Sequence, residues 1–509
     1  MYIGDYLARR CVYSRNNTAI IDVSMEPATR YSFSELNTRA NNLANWLKEN
    51  GIQKGDRVSL LSYDSIYHYD LFFACGKMGA VFVPLNWRLH SKELENQIRL
   101  TTPKIHFNSE EDDIKITGEY LKKCSKMPRI YPVENSTKTS LESIIQKKNE
   151  NKVTCESLTE NDTACLLFTG GTTGTPKAAQ ISHKQIIWNT INSILGDVLG
   201  SDIFLNIFPL FHAGGLFAFS LPILIQGGTV IQTKKFDAEQ VLSVIEKEKA
   251  TTFGGVPSIF QLLTAAKSWK TADLSSMRYC MSGGAPMPVA LINKYREEKN
   301  IVFRQGFGMT EFGPGVFSLP SGDAERKAGS IGKPNYFVDA RIVDIETNSP
   351  LPANNVGELV LRGPSATTGY FNNPDATKKI FDSENYLHTG DLAYIDDEGY
   401  FFIVDRLKDM FISGGENVYP AEIEGVLYQH KAVALCAVIG VDDEKWGQVG
   451  KAFVVLKENE KSTAGEILDY LKSHLTKYKV PKYLEFKEQL PISGAGKILK
   501  NELRKQNSF

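Results

Sequence analysis

The segment Thr169-Gly170-Gly171-Thr172-Thr173-Gly174-Thr175-Pro176-Lys177 constrains this chain more than any other stretch of its length. An apolar run, Ala164 to Phe168, precedes it and reads as a strand. A periodic apolar run carrying Ile186, Ile187, Ile191, Ile194 and Leu195 follows and reads as a helix. Three glycines let backbone N–H groups approach an anion closely. Four threonines add hydroxyl donors, and Lys177 adds a compact positive charge. The pattern predicts a phosphate-binding loop between a strand and a helix. It is not a P-loop of the nucleotide triphosphatases, because Pro176 precedes Lys177 and Ala178 follows it.

Bulk charge does not help such a loop. Lys plus Arg is 58 against 59 for Asp plus Glu, a net charge of -1, so an anionic ligand must be held by a local site. The same balance gives no general attraction to nucleic acid or to an anionic membrane. The seven cysteines are scattered without a CxxC pair, which excludes a zinc ribbon or disulfide framework and fits a reducing cytoplasm. No stretch approaches the roughly 20 apolar residues of a membrane span. The richest, Phe217 to Ile225, reads as a buried strand or helix.

At 509 residues the chain is long enough for more than one folding unit. Ser34 is expected to cap a helix with Leu36, Ala40, Leu43, Ala44 and Leu47 on one face, ended by Gly51. Arg57 to Leu61 reads as a strand, Asp70 to Gly79 as a helix and Ala80 to Pro84 as a strand. This rhythm implies a parallel sheet with crossover helices. Residues 109 to 162 are rich in charged and small polar residues and read as a surface excursion. Ser330 to Val404 has strand-like runs at Val356 to Leu361 and Tyr400 to Val404. Beyond Asp409, a helix at Pro420 to Tyr428, strands at Val433 to Val441 and Lys451 to Leu456, and a helix at Ala464 to Leu475 compose a small α/β unit.

The Gly/Thr loop resembles the nucleotide loop of the adenylate-forming superfamily, which comprises acyl-CoA synthetases, adenylation domains and luciferases. Gly170 stands where that family usually has Ser, and Ala178 where it usually has Gly. Further motifs follow in the family's order. Pro209-Leu210-Phe211-His212-Ala213-Gly214-Gly215 is similar to the acyl-pocket motif, with His212 at its carboxylate end. Ser282-Gly283-Gly284-Ala285-Pro286 resembles the adenine-side loop. Gln305-Gly306-Phe307-Gly308-Met309-Thr310-Glu311 resembles the second nucleotide motif. Thr389-Gly390-Asp391 matches the ribose motif, and Asp405-Arg406-Leu407-Lys408-Asp409 the junction between the family's two domains. Ser413-Gly414-Gly415-Glu416 matches the loop that packs against the pantetheine arm of CoA. Pro491-Ile492-Ser493-Gly494-Ala495-Gly496-Lys497 matches the catalytic-lysine motif.

The resemblance implies an α/β fold. A large N-terminal domain with parallel sheets and a β-rich subdomain would span residues 1–405 and hold the nucleotide and acyl pocket. A hinge would lie at 406–408, and a small mobile α/β domain would span 409–509. It implies ATP and Mg²⁺, with coenzyme A as co-substrate. Thr310 would contact the α-phosphate and Glu311 would hold the metal. Asp391 would accept from both ribose hydroxyls, Arg406 would reach ribose or phosphate, and Lys408 would be the hinge. Lys497 would bridge the carboxylate and the α-phosphate, and the Thr169 to Lys177 loop would neutralise the departing pyrophosphate.

Arg88, in Asn86-Trp87-Arg88, would meet the CoA 3′-phosphate, against the alternative of a plain surface arginine. Trp446 would lie on the CoA face, against a core tryptophan. The acyl pocket is expected at Asn189, Ala213, Gly214, Gly254, Gly255 and Gly308. Lining residues so small leave room for a medium or long fatty acyl chain. Asn189 could bond a polar substituent, so aryl acids of the succinylbenzoate or cinnamate type stay open, as does an adenylation enzyme with a non-CoA acceptor. The partners expected are a carboxylic acid, ATP and CoA, with no nucleic acid and no transmembrane segment. A homodimer is left open.

Overall fold

A computed structural model describes residues 4–24, 27–111, 128–134, 137–147, 151–169, 177–285, 287–492 and 498–506. The chain packs as two compact units. The first comprises Met1–Gly170, Pro176–Asp339 and Leu361–Leu387; the second, Gly171–Thr175, Ala340–Val360 and His388–Phe509.

The first unit holds two sheets. In the nine-stranded sheet, six adjacent strands run parallel: Thr18–Asp22, Thr229–Gln232, Ile203–Asn206, Thr252–Gly255, Tyr279–Gly283 and Phe303–Phe307. Antiparallel strands finish each edge. Helices such as Ala238–Glu248 bury Val241, Leu242 and Ile245 in a core shared with Phe253, Phe260 and Phe303. The six-stranded sheet runs in the order Arg129–Pro132, Ile105–Asn108, Arg57–Leu61, Val81–Pro84, Thr163–Thr169 and Lys177–Ser182. Only its last pair is antiparallel.

Local chemistry accounts for several differences from the expectations above. The first long helix is Phe33–Glu49, and its cap is Ser32, not Ser34. Ser32 and Glu35 form a reciprocal capping box, which a Ser three residues before a Glu encodes. The next helix begins at Ile66, four residues before Asp70, and ends where Gly79 turns left-handed (φ 71°). The 109–162 stretch is more than an excursion. Its Arg129–Pro132 strand extends the parallel sheet, and its Leu141–Ile145 helix buries Leu141, Ile144 and Ile145. The apolar run at Phe217 is helical: a π-helical turn, Gly214–Ser220, continues into the α-helix Leu221–Gln226.

The second unit holds a four-stranded sheet in the order Asp339–Val343, Gly357–Arg362, Leu387–Ile395 and Phe401–Arg406. It also holds a five-stranded sheet built on the hairpin of Val433–Asp443 and Gly447–Leu456. Helices Pro420–Leu427 and Ala464–His474 pack Ile423, Leu427, Ile467 and Leu471 against that hairpin. Among the described residues, no helix is long and apolar enough to cross a membrane.

Candidate active site

The Gly/Thr segment does not join a strand to a helix. Lys177–Ser182 is a strand of its own, antiparallel to Thr163–Thr169, and Thr169 pairs directly with Lys177. The helix His183–Leu195 starts only afterwards, where the Ser182 side chain accepts from the Gln185 N–H. Residues 170–176, with Gly170, Gly171, Thr172, Thr173 and Gly174 among them, lie outside the described residues. Ala178 and Ala179 are buried. They stay small because a second segment lies along their other side: Ala179 forms a bridge with Tyr370, and Phe371 N–H donates to Ala178 O at 2.8 Å.

That segment brings in a residue the sequence reading missed. The Tyr370 hydroxyl donates to Glu311 Oε1 at 2.8 Å. Lys177 Nζ lies 4.9 Å from the centre of the Tyr370 ring, and Thr169 is a hydrogen-bonding neighbour of the same phenol. Burial and the Glu311 charge push the phenol's pKa far up, so it remains a donor. Glu311 itself is 9% exposed, and its backbone carbonyl accepts from Thr367 N–H at 2.7 Å. Gln185 Nε2 holds the Thr310 carbonyl at 3.1 Å. Among the described residues Glu311 has no ion pair, and no cluster of three metal-ligating side chains exists. One carboxylate in this state fits Mg²⁺, which keeps most of its waters and takes phosphate oxygens.

In the segments expected on the adenine side, Gly283 and Gly306 face each other on neighbouring strands. A Cβ at Gly283 would stand 3.1 Å from Gly306 O. Gly284 is left-handed (φ 80°) and exposed, as is Ala285. Gln305 Oε1 accepts from Met287 N–H, while its Nε2 and the neighbouring Ser282 Oγ are buried with no partner among the described residues. Such orphaned donors beside small residues suit a flat heteroaromatic base. Phe307 packs edge-on against Phe317, and Met309 leads into the single turn Thr310–Phe312.

In the second unit, Asp391 and Arg406 are direct cross-strand partners joined by a 2.6 Å ion pair. The Thr-Gly-Asp stretch of the Leu387–Ile395 strand is braced by Glu358, which the sequence reading also missed. Glu358 accepts from Gly390 N–H at 2.9 Å and pairs with His388 at 2.8 Å. Lys408 lies exposed in a turn closed by Asp409 N–H to Arg406 O. Gly414 (φ 60°) and Gly415 (φ 87°) are both left-handed. Trp446 covers Gly414 and is 48% exposed, so it is not a core tryptophan. Lys497 lies outside the described residues.

Around the expected acyl pocket, several small residues prove to be filled. A Cβ at Gly254 would stand 2.6 Å from the Phe208 ring, and one at Gly308 would collide with Pro314 O. Gly255 packs on Ile259, and Gly214 lies beside Phe208. Phe208 stacks on Phe219, which stacks on Phe204. Asn189 is 1% exposed and engaged at both amide ends: Nδ2 donates to Phe217 O at 2.7 Å, and Oδ1 accepts from Gly315 N–H at 3.0 Å. It ties the fold together and is not directed at a substituent. Ala213 is buried, and His212 packs against Phe211 at the start of the π-helical turn. The same motif rests on Asp64, whose carboxylate accepts from Leu210 N–H at 2.7 Å. Burial pushes that carboxyl up to about 7. Arg88 is exposed, stacked over Trp87 and near Phe211.

Comparison with known proteins adds the family. Residues 7–371 match the AMP-binding enzyme family, and residues 422–497 match the AMP-binding enzyme C-terminal domain. The chain is 38% identical over 505 residues to a feruloyl-CoA synthase of Amycolatopsis sp, covering 99% of each. It is 36% identical over 522 residues to the long-chain-fatty-acid–CoA ligase FadD13 of Mycobacterium tuberculosis strain H37Rv, covering 99% of this chain and 98% of that one. ATP-bound MatB from Rhodopseudomonas palustris superposes with a TM-score of 0.88 at 30% identity, covering 99% of each chain. The o-succinylbenzoate CoA synthetase MenE from Bacillus subtilis, in complex with the acyl-adenylate intermediate OSB-AMP, gives 0.87 at 28% identity over 98% of each. Two family matches in the order the motifs require, and relatives of nearly equal length, place this chain in the AMP-binding enzyme family, within its adenylate-forming acyl-CoA synthetase branch.

Proposed function

We propose that the chain is an ATP-dependent acid–CoA ligase working in two half-reactions. A carboxylate attacks the α-phosphate of ATP, giving acyl-AMP and pyrophosphate. The CoA thiol then attacks the acyl carbon and releases AMP. The observation that carries this reading is the convergence of Thr169, Lys177 and Glu311 in one corner of the first unit. These are the two ends of the phosphate hairpin and one buried carboxylate.

The first half-reaction brings anions together, so its barrier is mostly positioning and charge. Lys177 supplies fixed positive charge beside the phosphates, and Thr169 a hydroxyl. Mg²⁺ bound at Glu311 would neutralise the leaving pyrophosphate. Asp391 accepts from the ribose hydroxyls once Arg406 turns to the phosphate or ribose. Lys497 bridges carboxylate and α-phosphate. Lys408 is the proposed hinge that exchanges Lys497 for the Gly414–Gly415 loop before thiol attack. Trp446 and Arg88 are the proposed contacts for the CoA nucleotide.

For the acid, the three stacked rings of Phe204, Phe219 and Phe208 favour a planar aromatic acid over the fatty acid that the small residues suggested. Phe208 occupies the room that Gly254 was expected to leave. A relative that makes feruloyl-CoA supports the aryl reading, and a long-chain ligase at similar identity keeps a fatty acid as the second.

The test is pyrophosphate release and acyl-CoA formation across hydroxycinnamic, benzoic and C6–C18 fatty acids, with and without CoA. Hydroxycinnamates should give the highest kcat/KM. A fatty acid at the top would overturn the aryl reading, and adenylate accumulating without any CoA dependence would overturn the ligase reading. Lys497→Ala should abolish adenylate formation while still allowing thioester formation from supplied acyl-AMP.

A further inference from the structure

Tyr370 belongs to none of the motifs that pointed to function, yet three residues assigned to phosphate and metal meet on it. Its backbone is fixed before its side chain is considered. Gln180 N–H donates to Gly369 O at 2.9 Å, Tyr370 N–H donates to Thr377 Oγ1 at 2.9 Å, and Phe371 N–H donates to Ala178 O. Gly369 (φ 126°) admits no side chain, because a Cβ would stand 2.3 Å from Thr377. The segment is thus bridged to Lys177–Ser182 at Ala179, and the Tyr370 ring has little freedom to leave.

The two ends of this side chain act differently. The hydroxyl gives a neutral hydrogen bond to Glu311 Oε1. A neutral donor orients a carboxylate without cancelling its charge, so Oε2 keeps its full attraction for a hard cation. An arginine in the same place would orient the group equally well and compete with the metal. The ring face carries the Lys177 ammonium through a weak cation–π contact. The spacing between the lysine and the metal carboxylate is then set by one rigid ring.

We propose that Tyr370 is a positioning residue that holds the Glu311 carboxylate and the Lys177 ammonium at the separation a metal-bound pyrophosphate requires. The idea rests on the ligase reading for its ligand. It goes further by assigning metal affinity to the hydroxyl and metal-free nucleotide affinity to the ring.

Tyr370→Phe keeps the ring and removes the hydroxyl; Tyr370→Leu removes both. Mn²⁺ binding in the presence of ATP, read by electron paramagnetic resonance on the full chain, is the primary measurement. The melting-temperature shift given by ATP with and without Mg²⁺ is the second, and the melting temperature without ligand checks that each variant folds. Tyr370→Phe should weaken Mn²⁺ binding about tenfold, as expected for a lost bond to a charged group. It should raise the half-saturating Mg²⁺ for pyrophosphate release to match, and leave the metal-free ATP shift unchanged. Tyr370→Leu should also reduce the metal-free shift. Wild-type Mn²⁺ affinity in Tyr370→Phe would overturn the proposal, whatever happened to turnover. A wild-type chain that released no pyrophosphate would sink the ligase reading instead, and the Mn²⁺ titration would still report on Tyr370.

Discussion

Glu311 and Asp391 are both buried carboxylates set in β-rich surroundings, yet their neighbours treat their charge in opposite ways. Glu311 is held by the phenol of Tyr370, while Lys177 is held against the face of the same ring. Asp391 is joined to Arg406 at 2.6 Å, and its strand is braced at Gly390 by a second carboxylate, Glu358. A buried negative charge without a cation is costly unless something arrives to meet it. The first arrangement suits the metal-holding role proposed for Glu311, and the second, with its charge already balanced, suits the hydroxyl-accepting role proposed for Asp391.

Substitution should separate the two. Glu311→Gln keeps an acceptor for Tyr370 and removes the charge. Adenylate formation, followed by pyrophosphate release, should fall about 10²- to 10³-fold, with most of the loss in kcat. Asp391→Asn should cost less, about tenfold, with most of the loss in the KM for ATP and the Mg²⁺ requirement unchanged. If Asp391→Asn altered the metal dependence and Glu311→Gln did not, the contrast drawn here would be reversed.

Asp64 is a third buried carboxylate and marks the limit of the comparison. Its folded-state pKa of about 7 lies above its ordinary value of about 4, so the fold prefers it neutral. Ionisation should erode stability as the pH rises from about 4 to about 7, with the full penalty above that. Asp64→Asn still accepts from Leu210 N–H and cannot ionise. Its urea midpoint should exceed that of the wild type by more at pH 8 than at pH 5. A gap independent of pH would show that Asp64 is charged throughout.

Much of this was legible in the chain. Arg57–Leu61 is a strand with the bounds expected, and the Ala464 helix ends one residue before its expected end. The motifs brought Asp391 beside Arg406, and Gly414 beside Trp446. What failed was non-local. Lys-Ala-Ala-Gln-Ile-Ser has neither alternation nor strong strand propensity. It is a strand because Thr163–Thr169 pairs with one side and Tyr370 lies against the other. Tyr370 stands 59 residues from Glu311, and nothing in a single sequence links the two. The glycines near the acyl motif misled because a small residue marks a close approach as readily as a void, and Phe208 and Pro314 had already come close.

The two-sided packing of Lys177–Ser182 also decides where the chain cannot change length. One residue lost from Lys177–Ser182 would shift its pairing with Thr163–Thr169 by one position and pull Ala179 from under Tyr370. Among descendants of this chain, the six residues Lys177–Ser182 should therefore keep their count even where their identities drift.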